Sequence, residues 1–188
     1  MKKIPTVFKR VFENNKIIGI LPEFTNEECK EAFEKGTPTL KIDGSACAVF
    51  GGMLYKRYDC KRGKKPPENA ILCQEKPDEI TGHFPCWIPC SRDNPADKWF
   101  FVAYDNYWEF NKVEDGTYEA IGKHFNGNKY EMAEDTLYKH GSLVIDFGFR
   151  TFASVKKYLE SYKIEGIVFW FEGKPVCKIK RSDFGFYW

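Results

Sequence analysis

The chain has 188 residues, enough to bury a core, and its hydrophobic fraction of 43% and aromatic fraction of 17% exclude a disordered polymer. A formal net charge of +2 excludes a global polycation, so any affinity for nucleic acid must come from a local basic patch. No apolar run is long enough to span a membrane, the start MKKIPTVFKR lacks the apolar core of a signal peptide, and seven cysteines then suggest reduced thiols, so a cytoplasmic or nuclear location is expected.

In chain order, Ile17–Leu21 reads as a short strand ended by Pro22. Thr25 to Lys35 reads as a helix, with Thr25 as cap, Glu28 completing a capping box and Gly36 as terminator. Pro38 leads into a strand carrying Lys41 and expected to run on through Ala46, Ala48 and Phe50. Gly51-Gly52 predicts a hairpin turn with a return strand from Met53 to Tyr58. The segment YKRYDCKRGKK follows, with Lys56, Arg57, Lys61, Arg62, Lys64 and Lys65 against Asp59. Residues 70–96, rich in proline and cysteine, predict an irregular excursion. Trp99 to Val113, dense in aromatics, predicts strand. Thr117–Ile121 predicts a short strand after an Asp115-Gly116 turn, and Asn126-Gly127-Asn128 a further turn. Leu143–Phe149 predicts strand, and Phe152, Val155, Leu159 and Tyr162 share one helical face behind a Thr151 cap. Gly166–Phe171 and Pro175–Lys180 predict two strands around a Gly173 turn. The sum is an α+β fold of mostly antiparallel sheet flanked by a few helices.

Four segments carry unusual chemistry. On a continuous strand Lys41 and Asp43 share a face, and Gly44 lets the backbone bend or a ligand approach. A lysine amine held neutral is a nucleophile. Glu119 interrupts an apolar strand, Glu165 opens another, and Lys178 and Lys180 share one face of a strand whose Cys177 and Ile179 face the core. His83, Cys86 and Cys90, with Cys73 upstream, fit zinc spacing only loosely and read better as core thiols beside an aromatic-lined loop. His124 and His140 show no partner pattern.

The order KIDGSA (41–46), YEAIG (118–122), EGIVFW (165–170) and KIK (178–180) resembles motifs I, III, IV and V of the covalent nucleotidyltransferases: ATP-dependent RNA ligases, DNA ligases and mRNA capping enzymes. TGHFPCWIPC (81–90), IGKHFNGNKY (121–130) and KIKRSDFGFYW (178–188) resemble the small RNA-ligase family that includes the vertebrate 5′-to-3′ RNA ligase. The resemblance covers roughly residues 38–188. It implies an ATP-grasp-like ligase adenylation domain; where family members often add a C-terminal domain or an OB-fold the sequence stops soon after KIK, so a single minimal domain over residues 1–188, with no separate C-terminal or OB domain, is expected and favours RNA ligation over DNA ligation or capping. It also implies an enzyme joining RNA 5′-phosphate and 3′-hydroxyl ends through a lysyl-adenylate. Lys41 is then the nucleophile, and Lys178 and Lys180 grip the α-phosphate of ATP. Asp43, Glu119 and Glu165 hold Mg²⁺ or Mn²⁺ through its water shell, and Glu119 also meets the ribose hydroxyls. Arg57 contacts the ribose or the nucleic-acid end. Arg57, Lys61, Arg62, Lys64 and Lys65 are expected to track the RNA backbone. Family members offer an aromatic platform for the adenine; here the segment is LVIDF, and Ile145, with Phe147 as its rival, and Val168 are the expected walls beside Ile42. A monomer without membrane association is expected. The alternatives are a nucleotidyltransferase that adenylates or caps ends without sealing, and a non-catalytic RNA-binding module.

Overall fold

The computed structural model of the protein describes residues 2–14, 16–79 and 81–187. Ile80 of the 70–96 excursion and Trp188 of the KIKRSDFGFYW segment lie outside these residues. The chain divides into two compact units: Ile4–Ile42 with Gly141–Trp188, and Met1–Lys3 with Asp43–His140. All pairings between extended strands of the described residues are antiparallel, so the α+β expectation holds at that level.

The first unit begins with a hairpin of β1 (Phe8–Glu13) and β2 (Lys16–Phe24). Strand β2 runs through Pro22, contrary to expectation. In a two-stranded ribbon each strand has an open edge where a missing N–H costs nothing. Helix α1 (Glu27–Lys35) is capped by Asn26, whose side chain accepts the Cys29 N–H at 2.8 Å. The expected cap, Thr25, instead donates its hydroxyl to Thr6 O at 2.6 Å. Strand β3 (Thr37–Lys41) ends at the lysine. The predicted continuous strand to Phe50 is broken at Ile42–Gly44, and β4 (Ser45–Phe50) belongs to the sheet of the second unit. Lys41 and Asp43 are therefore not successive same-face residues of one strand.

In the second unit β4 turns at Gly51-Gly52, both at positive φ, into β5 (Met53–Cys60), as predicted. The 70–96 segment is not wholly irregular, since β6 (Ile71–Leu72) and β7 (Phe84–Pro89) extend the sheet beside β5. The aromatic segment at 99–113 is not strand but helix α2 (Lys98–Phe110). Phe100, Ala103, Tyr104 and Tyr107 fall at helical spacing and pack on the sheet core. Strand β8 (Gly116–Ile121) pairs with β4 and with β9 (Thr136–Lys139), completing the order β6-β7-β5-β4-β8-β9.

Back in the first unit, Leu143–Phe149 forms no strand ladder, only a single bridge of Val144 to Thr39. Helix α3 (Phe152–Ser161) is capped by Thr151 as predicted. Strands β10 (Gly166–Phe171) and β11 (Lys174–Lys180) join β3 in the order β11-β10-β3. Ile167, Phe169, Cys177 and Ile179 face the core under α1 and α3 together with Phe8, Phe33, Val155 and Leu159. Arg181 closes the C-terminal end of α3, donating to Leu159 O, to Glu160 O at 3.2 Å and to Tyr162 O at 2.8 Å. No helix among the described residues is long and apolar enough to cross a membrane.

Candidate active site

In the first unit the register decides what meets Lys41. Gly166 of β10 stands opposite Lys41 on one side and Lys180 on the other; Val168 stands opposite Thr39 and Lys178. Cross-strand partners share a face. Lys41, Thr39, Val168, Lys178 and Lys180 therefore share the face turned away from the core, and Gly166 puts no side chain between the two lysines.

The preceding residue, Glu165, is a buried carboxylate that takes both cations. Lys41 Nζ lies 2.5 Å from its Oε2 and Lys180 Nζ 2.7 Å from its Oε1. Lys178 has no such counter-ion in the row. Burial, reinforced by Lys41, Lys180 and Arg10, lowers its pKa from the usual 10.5 to about 8. Arg10 is held by Asp183, which also accepts the Lys180 backbone N–H at 2.8 Å. The segment after Lys180 thus fixes the strand end that carries the lysine.

Thr39 and Val144 form a bridge flanked by Leu40 N–H to Leu143 O (2.9 Å) and Ile145 N–H to Pro38 O (3.0 Å). That pattern brings the Thr39 and Val144 side chains onto one face. Val144, 64% exposed, therefore stands on the lysine face, while Ile145 and Phe147 pack against the core cluster. Ile145 and Val168 are not brought onto one face. Val144 and Val168 are, on either side of the buried Thr39 and about 10 Å apart as two strand spacings require. Thr39 Oγ1 accepts from Trp170 Nε1 at 3.0 Å and donates to Val168 O at 3.3 Å. Thr39 itself is covered, and Trp170, two residues on from Val168 on β10, lies on the same face as the two valines, about 7 Å or more along the sheet from Lys41.

In the second unit, the loop predicted as a turn holds Asp43. Asn126 Nδ2 donates to Asp43 Oδ1 at 2.7 Å, Lys129 pairs with Oδ2, and the Asp43 N–H donates to Tyr130 Oη at 2.8 Å. Asn126, Gly127 and Asn128 all have positive φ, which explains the Asn-Gly-Asn sequence. Glu119 Oε1 accepts the Gly44 N–H at 3.1 Å, and Oε2 lies 2.8 Å from His140 Nε2. A side chain on Gly44 would meet Ala120 O at 2.2 Å, so only glycine permits this approach.

Within the basic segment, Lys56 is paired with the buried Asp97 and is structural. Arg57 donates to Asp59 at 2.7 Å and lies 5.7 Å from the Trp87 ring. Lys61, Arg62, Lys64 and Lys65 are exposed. Cys86 is buried, with its thiol toward Tyr58 O. All seven cysteines are free thiols. His124, for which the sequence offers no partner, binds Asp135 at 2.7 Å and stacks on Trp99.

Asp43, Glu119 and Glu165 supply the hard oxygens Mg²⁺ prefers, but every one of their oxygens already has a protein donor. No three metal-ligating side chains gather among the described residues. Within its own unit each carboxylate would therefore meet an ion through bound water rather than directly. No protein-family model matches the chain, and a search of curated proteins returns no match.

Proposed function

We propose that the chain is an ATP-dependent RNA ligase acting through an adenylate on Lys41. The observation that carries this reading is the row Lys41–Gly166–Lys180, with Glu165 beneath it and Lys178 beside it. Three lysines on one sheet face around a single carboxylate are costly for a merely structural strand. They suit a nucleophile next to a phosphate grip.

In the first step Lys41 Nζ, uncharged, attacks the α-phosphorus of ATP. A phosphorus–nitrogen bond forms, the bond from that phosphorus to the bridging oxygen breaks, and pyrophosphate leaves. The surplus proton of the amine passes to solvent. The Lys41–Glu165 pair belongs to the resting state and has to open first. Lys178 and Lys180 meet the charge that develops on the α-phosphate, and a base seats between Val144 and Val168. Mg²⁺ or Mn²⁺ would supply charge neutralisation on the triphosphate, and Asp43, Glu119 and Glu165 are the carboxylates that would hold it through its water shell. Adenylate then passes to an RNA 5′-phosphate, and a 3′-hydroxyl attacks that phosphate and expels AMP. Arg57 and the exposed Lys61, Arg62, Lys64 and Lys65 support a track for the RNA backbone. A monomer working in a reducing compartment belongs to the same proposal.

The test uses α-labelled ATP with Mg²⁺ or Mn²⁺. Label should survive denaturation and alkali and be released by acid, as a phosphorus–nitrogen bond is. An unlabelled wild type, or full labelling of Lys41→Ala, overturns the reading. Label without joining of 5′-phosphate RNA assigns an end-adenylating enzyme instead, and a preference for GTP assigns capping.

A further inference from the structure

Glu119 is held from both sides within the second unit, and the residue that holds it from beyond the strand is His140. Strand β9 pairs with β8 so that Glu119 faces Tyr138 and Tyr118 faces Lys139. The ladder continues one step, with the His140 N–H donating to Thr117 O at 3.0 Å. Thr117 and Glu119 are two residues apart on β8 and share a face. The imidazole lies across both, with Nδ1 2.9 Å from Thr117 Oγ1 and Nε2 2.8 Å from Glu119 Oε2.

The donor roles follow from the partners. An ionised carboxylate only accepts, so Nε2 carries the hydrogen and donates; the Thr117 hydroxyl can donate to Nδ1. Glu119 Oε1 takes the Gly44 N–H at 3.1 Å, so each carboxylate oxygen has one fixed donor. A carboxylate offers about four lone-pair sites. Both side chains are mostly but not wholly buried.

We infer that His140 is a positioning residue that fixes the Glu119 carboxylate to read the ribose hydroxyls of the nucleotide. This rests on the ligase reading, in which Glu119 meets the ribose. His140 touches no substrate atom itself. It keeps the carboxylate from rotating, so that the energy of ordering it is spent in folding rather than on binding.

The experiment measures Lys41-adenylate formation against concentration for ATP and for 2′-deoxy-ATP, with thermal melting alongside. The wild type prefers ATP. In His140→Ala the KM for ATP rises on the order of tenfold, that for 2′-deoxy-ATP changes little, and the preference collapses. His140→Gln restores most of it, because its amide N–H can donate in place of Nε2. Thr117→Val, which removes only the far support, gives an intermediate loss. Unchanged discrimination in His140→Ala overturns the inference and leaves the ligase reading intact. So does an equal loss on both nucleotides that tracks melting and is not rescued by His140→Gln. A wild type that forms no adenylate overturns the ligase reading, and this inference with it.

Discussion

Lys41 Nζ lies 2.5 Å from Glu165 Oε2, and the other oxygen of that carboxylate holds Lys180. Removing the negative charge leaves two ammonium groups facing each other across Gly166. Glu165→Gln keeps the shape and loses the charge. Its expected cost is about 2–3 kcal/mol, below that of a fully buried pair because the lysines keep some solvent. Urea unfolding reads this directly. Adenylate formation in the same variant should slow on the order of 100-fold, the scale for losing one preorganised electrostatic group. Wild-type stability in Glu165→Gln would mean that the two lysines find other partners.

Lys178 makes stability depend on pH. Its folded pKa, about 8, lies below the ordinary 10.5 because of burial and the neighbouring Lys41, Lys180 and Arg10. Between those two values the unfolded chain binds more protons at this site than the folded one. Its contribution to stability therefore rises with pH from about 8 to 10.5 and is flat below that window. Urea midpoints measured from pH 7 to 10 should show this component in the wild type and lose it in Lys178→Met. Lys178→Met should also be the more stable of the two at pH 7, where burying the charge is costly. Identical pH slopes in the two proteins would contradict the burial assigned to this lysine.

The sheet that carries the lysines was legible because its alternation is strong. Cys177 and Ile179 inward against Lys178 and Lys180 outward admits one register, and a slip by one would bury two ammonium groups. Helix α2 was not legible from composition, since its aromatics favour strands, yet Phe100, Ala103, Tyr104 and Tyr107 do carry the helical period. The break after Lys41 was hidden because Ser45–Phe50 is itself a good strand; only the sheet order separates it from β3. His140 shows no local pattern because its partners, Thr117 and Glu119, lie 23 and 21 residues away across a ladder. Four-residue β9, which creates that ladder, was too short to read. Candidate residues on strong strands could thus be placed from the sequence, and those that depend on pairing between distant strands could not.

Gly44 is held by sterics rather than by conformation. A Cβ there would lie 2.2 Å from Ala120 O and 2.6 Å from Ile121 Cγ2. The first contact is with backbone, which cannot rotate aside. Gly44→Ala should therefore push the 42–44 segment off β8 and lengthen the Gly44 N–H to Glu119 bond. The expected destabilisation is about 1–3 kcal/mol, the range for overpacking a tight site. Glu119→Gln, which keeps the acceptor oxygen, should cost less. A melting temperature for Gly44→Ala equal to that of the wild type would count against the close approach.

Val144 and Ile145 are neighbours with opposite fates, and that separates packing from binding. Val144 is largely exposed on the lysine face, whereas Ile145 packs on the core cluster. Val144→Ala removes little buried surface, so stability should stay within about 0.5 kcal/mol of wild type. If the base seats between Val144 and Val168, the KM for ATP in adenylate formation should rise about threefold to tenfold from the lost apolar contact, with little change in maximal rate. Ile145→Ala should do the reverse, lowering stability by about 1–2 kcal/mol for a half-buried side chain, with KM nearly unchanged. The pair needs only melting curves and a nucleotide titration. A KM effect in Ile145→Ala without one in Val144→Ala would return the base wall to Ile145 and contradict the face assigned by the Thr39–Val144 bridge.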